Sequence, residues 1–84
     1  MKNELNEQEL EKVVGGISKD DALAAALKHA GLTRDQIDFL KKIELDYEHG
    51  RKVYEIKFYQ GGMEYEYDVD AEDGTILKFE KDYD

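Results

Sequence analysis

Hydrophobic and polar positions along the chain follow two rhythms, and the change comes near residue 37. Between Ile17 and Gly31 the apolar residues Ala22, Leu23, Ala26, Leu27 and Ala30 recur three and four apart, which predicts one amphipathic helix over 17–31. Ser18, with Asp21 three places on, supplies an N-terminal capping pattern, and Gly31 stands where a left-handed residue ends a helix. Alanines on the stripe are small enough for the helix backbone to lie close to a sheet. Thr33 and Gln36 repeat the capping pattern and predict a single helical turn at 33–36.

Beyond that turn the period becomes two. Ile37, Phe39, Ile43, Leu45 and Tyr47 alternate with mostly polar neighbours, Lys41 being the exception on that face. Tyr54, Ile56 and Phe58 alternate with Glu55 and Lys57, and Met63, Tyr65, Tyr67 and Val69 with Glu64, Glu66 and Asp68. The segments "EHGR" (48–51), "QGG" (60–62) and "AEDG" (71–74) are turns, and the last leads into "TILKFE". In that final run Leu77 and Phe79 share a face and Ile76 takes the other; the pattern leaves open which one is inside. A helix followed by four tightly linked strands predicts an α+β fold. One N-terminal helix packs on a four-stranded antiparallel β-meander, a two-layer sandwich, preceded by a separate segment.

Composition narrows the reading. The chain has 84 residues, enough for one small domain, and no cysteine, so apolar packing alone must hold it. Six tyrosines, three phenylalanines and the absence of proline separate it from a disordered acidic tail. The net charge of −9 repels a phosphate backbone and anionic membrane surfaces, so nucleic-acid binding is not expected. No apolar run approaches the ~20 residues that span a bilayer, so no membrane insertion is expected. Met1–Gly16 has no apolar core of the secretory-signal kind and is acidic. Hydropathy alone reads as cytoplasmic.

From Ile17 onward the chain resembles the PepSY domain family. The resemblance rests on "ISKDDALAAALKHAGL" and on "VYEIKFYQGGMEYEYDVDAEDGTIL", and covers nearly all of 17–82. It implies a domain over 17–84 that inhibits or chaperones a peptidase, or serves as a binding module at the cell surface. Residues 1–16 resemble a different thing, the double-glycine leader of bacteriocins and other exported bacterial peptides. Leu5, Leu10 and Val13 fall at that family's apolar spacings, Glu9 directly precedes Leu10, and Gly15 and Gly16 close the motif. On a helical wheel Leu5, Leu10, Val13 and Val14 fall within one half, so an induced helix would lay them in a receptor groove. Two residues without side chains suit an extended chain in a narrow cleft. The resemblance implies recognition by the peptidase domain of an ABC transporter, a cut after Gly16, and export of 17–84 from the bacterial cytoplasm. The mature form is then extracellular or associated with the cell envelope. The alternatives are a cytoplasmic protein-interaction module with no cleavage, its N-terminal helix packed on its own sheet, and a secreted bacteriocin-like effector.

Catalysis is not expected, and neither is a cofactor. The one serine, Ser18, is assigned to a cap, no thiol is present, and His29 and His49 share no motif. Glu64, Glu66 and Asp68 line a strand face expected to meet water, where burial cannot separate their pKa values. No metal site is expected either. "DVDAEDG" (68–74) resembles a calcium loop, which makes Asp68 and Asp70 a weak calcium candidate. Glu72, however, stands where the third Asp or Asn belongs, Asp73 where the loop needs Gly, and Phe79 where it needs its closing Glu. An Asp- and Gly-rich β-turn is the better account. Tyr47, Tyr54, Tyr59, Tyr65 and Tyr67 are read mainly as core and rim, with a smaller claim on a partner face around Tyr59. Lys41, Lys42, Lys78 and Lys81 guard the two edge strands against pairing.

Overall fold

A computed structural model describes residues 16–83 of the chain. Helix α1 spans Lys19–Ala30, a short 3-10 turn spans Arg34–Gln36, and four strands follow: β1 Phe39–Glu48, β2 Arg51–Gln60, β3 Met63–Asp70 and β4 Ile76–Tyr83. All neighbours are antiparallel and lie in chain order, β1-β2-β3-β4, the meander expected from the sequence.

Local chemistry sets the ends of α1. The Asp21 N–H donates to Ser18 Oγ at 3.1 Å, and Asp20 and Asp21 place carboxylates at the positive dipole end. Gly31 adopts φ 76°, and Leu32 N–H donates to the Leu27 carbonyl at 2.9 Å, which closes the helix. In the next turn Thr33 N–H donates to Gln36 Oε1 at 2.9 Å. Two hairpin turns carry consecutive left-handed residues, His49 and Gly50 at φ 53° and 77°, Gly61 and Gly62 at 62° and 79°. That geometry matches the twist of the strands they join.

The core lies between α1 and the two central strands. Ala22, Leu23, Ala26 and Leu27 meet Tyr54, Ile56 and Phe58 of β2 and Tyr65, Tyr67 and Val69 of β3. Phe58 stacks on Tyr65 and Tyr67, with ring centres 5.0 and 6.1 Å apart. These are the inward residues that the period-two pattern assigns.

The edge strands depart from it, for one physical reason. A β-bulge between Leu40 and Lys42 adds a residue to β1 and reverses its phase. Leu40 and Ile43 therefore face the helix, while Phe39 turns to the other face and stacks on Tyr59 at 6.1 Å. Lys41 and Lys42 both reach groups of that outer face, Tyr59 and Glu64 in one case, Glu55 and Glu44 in the other. A second irregularity lies opposite Asp68 and Val69, where Val69 pairs with Ile76 and Asp68 with Lys78. It puts Ile76 and Phe79 on the helix side together and leaves Leu77 beside Lys78 outside, so Leu77 and Phe79 do not share a face. Leu45 and Tyr47 stay on the inner face but lie beyond the reach of α1, 48 % and 65 % exposed.

Candidate functional site

Three places combine chemistry with position: the start of the domain, the outer face of the sheet, and a ring cluster at the end of α1. Of the leader residues read from the sequence, Leu5, Glu9, Leu10, Val13 and Gly15 lie outside the described residues. Gly16 lies within them. It has φ 124°, and a Cβ there would stand 2.7 Å from the Ala71 carbonyl oxygen, so the fold itself requires glycine at this position. Ile17 is then tied from both sides. Its N–H donates to the Ala71 carbonyl at 2.7 Å, and its carbonyl accepts from the Tyr54 hydroxyl at 2.9 Å. The bond between Gly16 and Ile17 thus rests against the turn after β3. Sequence reasoning found the glycine but not this seat, because Ala71 and Tyr54 are distant in the chain.

On the outer face the strand register sets Glu44, Glu55, Asp68 and Lys78 in one cross-strand row. One carboxylate oxygen each of Asp46, Glu48 and Glu55 lies within 4.8 Å of the others. Glu48 and Asp68 line a cleft of about 500 Å³ with Val53, Leu77 and Lys78, and Val53 is buried there although it faces outward. Asp68 departs from the expected solvated carboxylate: it is only 7 % exposed. Burial pushes its carboxyl above the usual range, with the charge of Lys78 opposing. Repulsion from Asp68 is the main reason that Glu48 is also raised. Glu55 moves the other way, because Lys42 donates to Glu55 Oε1 at 2.9 Å and stabilises the carboxylate. The signal for Asp46 and Glu48 was the outward phase of β1, which continues past Glu44.

Asp70, the other half of the calcium reading, is committed elsewhere. Its Oδ2 accepts from Arg51 at 3.2 Å and its Oδ1 from Glu72 N–H at 2.8 Å. Asp73 accepts from Thr75 N–H at 3.0 Å, a bond that holds the Asp73 carboxyl below its usual range. The 68–74 segment is therefore built as an Asx-stabilised turn, with Asp68 pointing away into the sheet face.

At the end of α1, His29 Nδ1 and the Tyr67 hydroxyl are hydrogen-bonded at 2.9 Å, and the His29 ring also meets Phe79 at 5.2 Å. Tyr67 is fully buried, and burial raises its phenol to about 12. His29 therefore serves as the polar partner of a buried tyrosine. His49 sits in the first hairpin, on the rim of the outer cleft. Among the described residues, no helix is long and apolar enough to cross a membrane.

Residues 16–80 match the family model described as "Peptidase propeptide and YPEB domain", PepSY. The "Uncharacterized protein Spy1430" of Streptococcus pyogenes serotype M6 is 39 % identical over 62 residues. That alignment takes in 74 % of this chain and 47 % of the streptococcal protein, so the chain spans about half the length of that relative. No solved structure matches the chain.

Proposed function

Because the chain belongs to the PepSY family of peptidase propeptide and YPEB domains, we propose that it is a non-catalytic binding module, exported from a bacterium and directed at a peptidase. In this reading residues 1–16 are a double-glycine leader. Leu5, Glu9, Leu10 and Val13 dock on the peptidase domain of an ABC transporter, which cuts after Gly16. Residues 17–84 are released to the cell exterior or envelope, and there bind or inhibit a peptidase. The observation that carries the reading is the coincidence of two boundaries: the family match starts at Gly16, where the leader pattern ends. Among the described residues β1 and β4 have no strand on their outer edges, which supports the second half, since an extended segment of a peptidase can add to an edge strand.

Mass spectrometry of the producer's culture medium tests the export step and is expected to find a product beginning at Ile17. Full-length chain confined to the cells would overturn it. Gly15→Leu is the informative variant, because Gly16 is also needed by the fold. It is expected to block processing while the far-UV circular dichroism of the domain stays unchanged. For the second half, residues 17–84 used as bait in the producer's medium are expected to retain a peptidase and lower its activity.

A further inference from the structure

We propose that the bare corner of the inner sheet face, formed by Leu45 and Tyr47 of β1, is a docking surface for the chain's own segment 5–14, whose Leu10, Val13 and Val14 cover it. Leu45 and Tyr47 lie on the side that α1 packs against, yet α1 does not reach them, and both are exposed. They continue the inward set of Leu40 and Ile43, which pack against the core. One exposed apolar side chain is ordinary on a protein surface. Two neighbours on the face that elsewhere forms the core make a patch that calls for a cover.

The corner lies where the described chain begins. Tyr47 pairs with Lys52, and the Lys52 carbonyl accepts from the Ala71 N–H at 3.1 Å, so Tyr47, Lys52 and Ala71 stand in one line across the sheet. Gly16 sits on that line, since a Cβ there would be 2.7 Å from the Ala71 carbonyl oxygen. Leu45 pairs with Tyr54, whose hydroxyl donates to the Ile17 carbonyl at 2.9 Å. Neighbouring strands are about 4.8 Å apart, so about 10 Å separates Ala71 from Tyr47, and an extended chain gains about 3.3 Å per residue. The three residues before Gly16 span that distance. They are Val13, Val14 and Gly15, so both valines come within reach of Tyr47, and Leu10, further back, within reach of Leu45.

The tether also decides the occupant. A segment joined to its site by so short a linker meets it at a millimolar effective concentration, above what a second copy reaches in dilute solution. Leu5, Leu10, Val13 and Val14 fall within one half of a helical wheel, which offers the corner an apolar stripe. The hollow beside Tyr47 is lined by Gly50, Arg51, Lys52, Asp70 and Glu72 and is mixed in charge, so apolar contact carries the docking. The assignment does not rest on the export route. Docked, Leu10 and Val13 are withheld from any other receptor, and a cut after Gly16 bares the corner for a partner.

The chain has no cysteine, so Gln8→Cys places a single nitroxide label on the full-length protein. Amide NMR is expected to show paramagnetic broadening strongest at residues 45, 47 and 52, falling off towards β4 and unchanged on dilution. Leu10→Asp combined with Val13→Asp on the labelled chain is expected to lose that maximum, while the α1 amides stay in place and report an intact fold. Four outcomes would each overturn the docking: no maximum, a maximum elsewhere, one that survives both substitutions, and one that also arises between separate chains. The third would mean nearness through the tether alone. The fourth is read by mixing nitroxide-labelled chain with isotope-labelled chain that carries no nitroxide, and would give the corner to a second copy.

Discussion

At the scale of single residues, Tyr67 shows best how position makes chemistry. It is fully buried, hydrogen-bonded to His29, and its phenol is raised from 10.0 to about 12. A raised acid binds its proton more tightly in the folded state. Between those two pH values the unfolded chain has lost that proton and the folded chain keeps it, so stability falls as pH rises. Below pH 10 the group contributes no slope. The loss is expected to approach about 1.4 kcal/mol per pH unit and to level off once pH passes the folded value. Urea unfolding across the alkaline range measures it, and Tyr67→Phe is expected to be flatter than the parent chain by that amount. At neutral pH the same variant should lose about 0.5–1.5 kcal/mol, the worth of one hydrogen bond. The sequence places Tyr67 in the core through its period-two alternation, and His29 near a helix end. Their meeting was not legible, because it depends on how far along β3 the helix lies. The carboxylates divide the same way. Glu55 and Asp68 were legible as one outward face, whereas the burial of Asp68, in the cleft it lines with Glu48, Leu77 and Lys78, was not.

Among the elements, the central strands obey the alternation and the edge strands break it once each. The two central strands are held by α1 above and by partners on both sides, so an extra residue there would displace a whole inward set. An edge strand has a free side that absorbs the insertion. The bulge at Lys41 and the irregularity opposite Asp68 therefore reassign faces that the sequence pattern left wrong or open: Phe39 turns outward, Ile76 inward. A pair of neighbouring substitutions separates the two arrangements of β4. Ile76→Ala is expected to destabilise by about 1–2 kcal/mol, as for a half-buried core contact, and Leu77→Ala, 41 % exposed, by less than about 0.5 kcal/mol. Denaturant midpoints give both values, and the reverse order would mean that β4 is out of register. Helix α1 was readable almost to the residue, because its caps, Ser18 and Gly31, are local chemistry.

For the whole molecule, a helix of 12 residues is about 18 Å long and cannot cover ten-residue strands that run about 33 Å. It lies over the middle strands and leaves the far end of β1 bare, Leu45 and Tyr47 included. The sandwich was legible from the sequence. Its incomplete cover was not, because helix position is a tertiary matter. The same layout fixes the seat of Ile17, between the Tyr54 hydroxyl and the Ala71 carbonyl. A peptidase that threads an extended chain through a narrow cleft has to lift Ile17 off both contacts. If the proposed export route holds, folded full-length chain is expected to be cut after Gly16 more slowly than the same chain diluted from urea into a transporter peptidase domain. Tyr54→Phe, which leaves the Ile17 carbonyl unheld, is expected to narrow that gap, and gel time courses read both rates. Equal rates for folded and diluted chain would refute the obstruction. The consequence is one of timing. Under the proposed export route, maturation becomes a race between two clocks, collapse of the domain and arrival at a transporter, and a molecule that folds first is expected to keep residues 1–16.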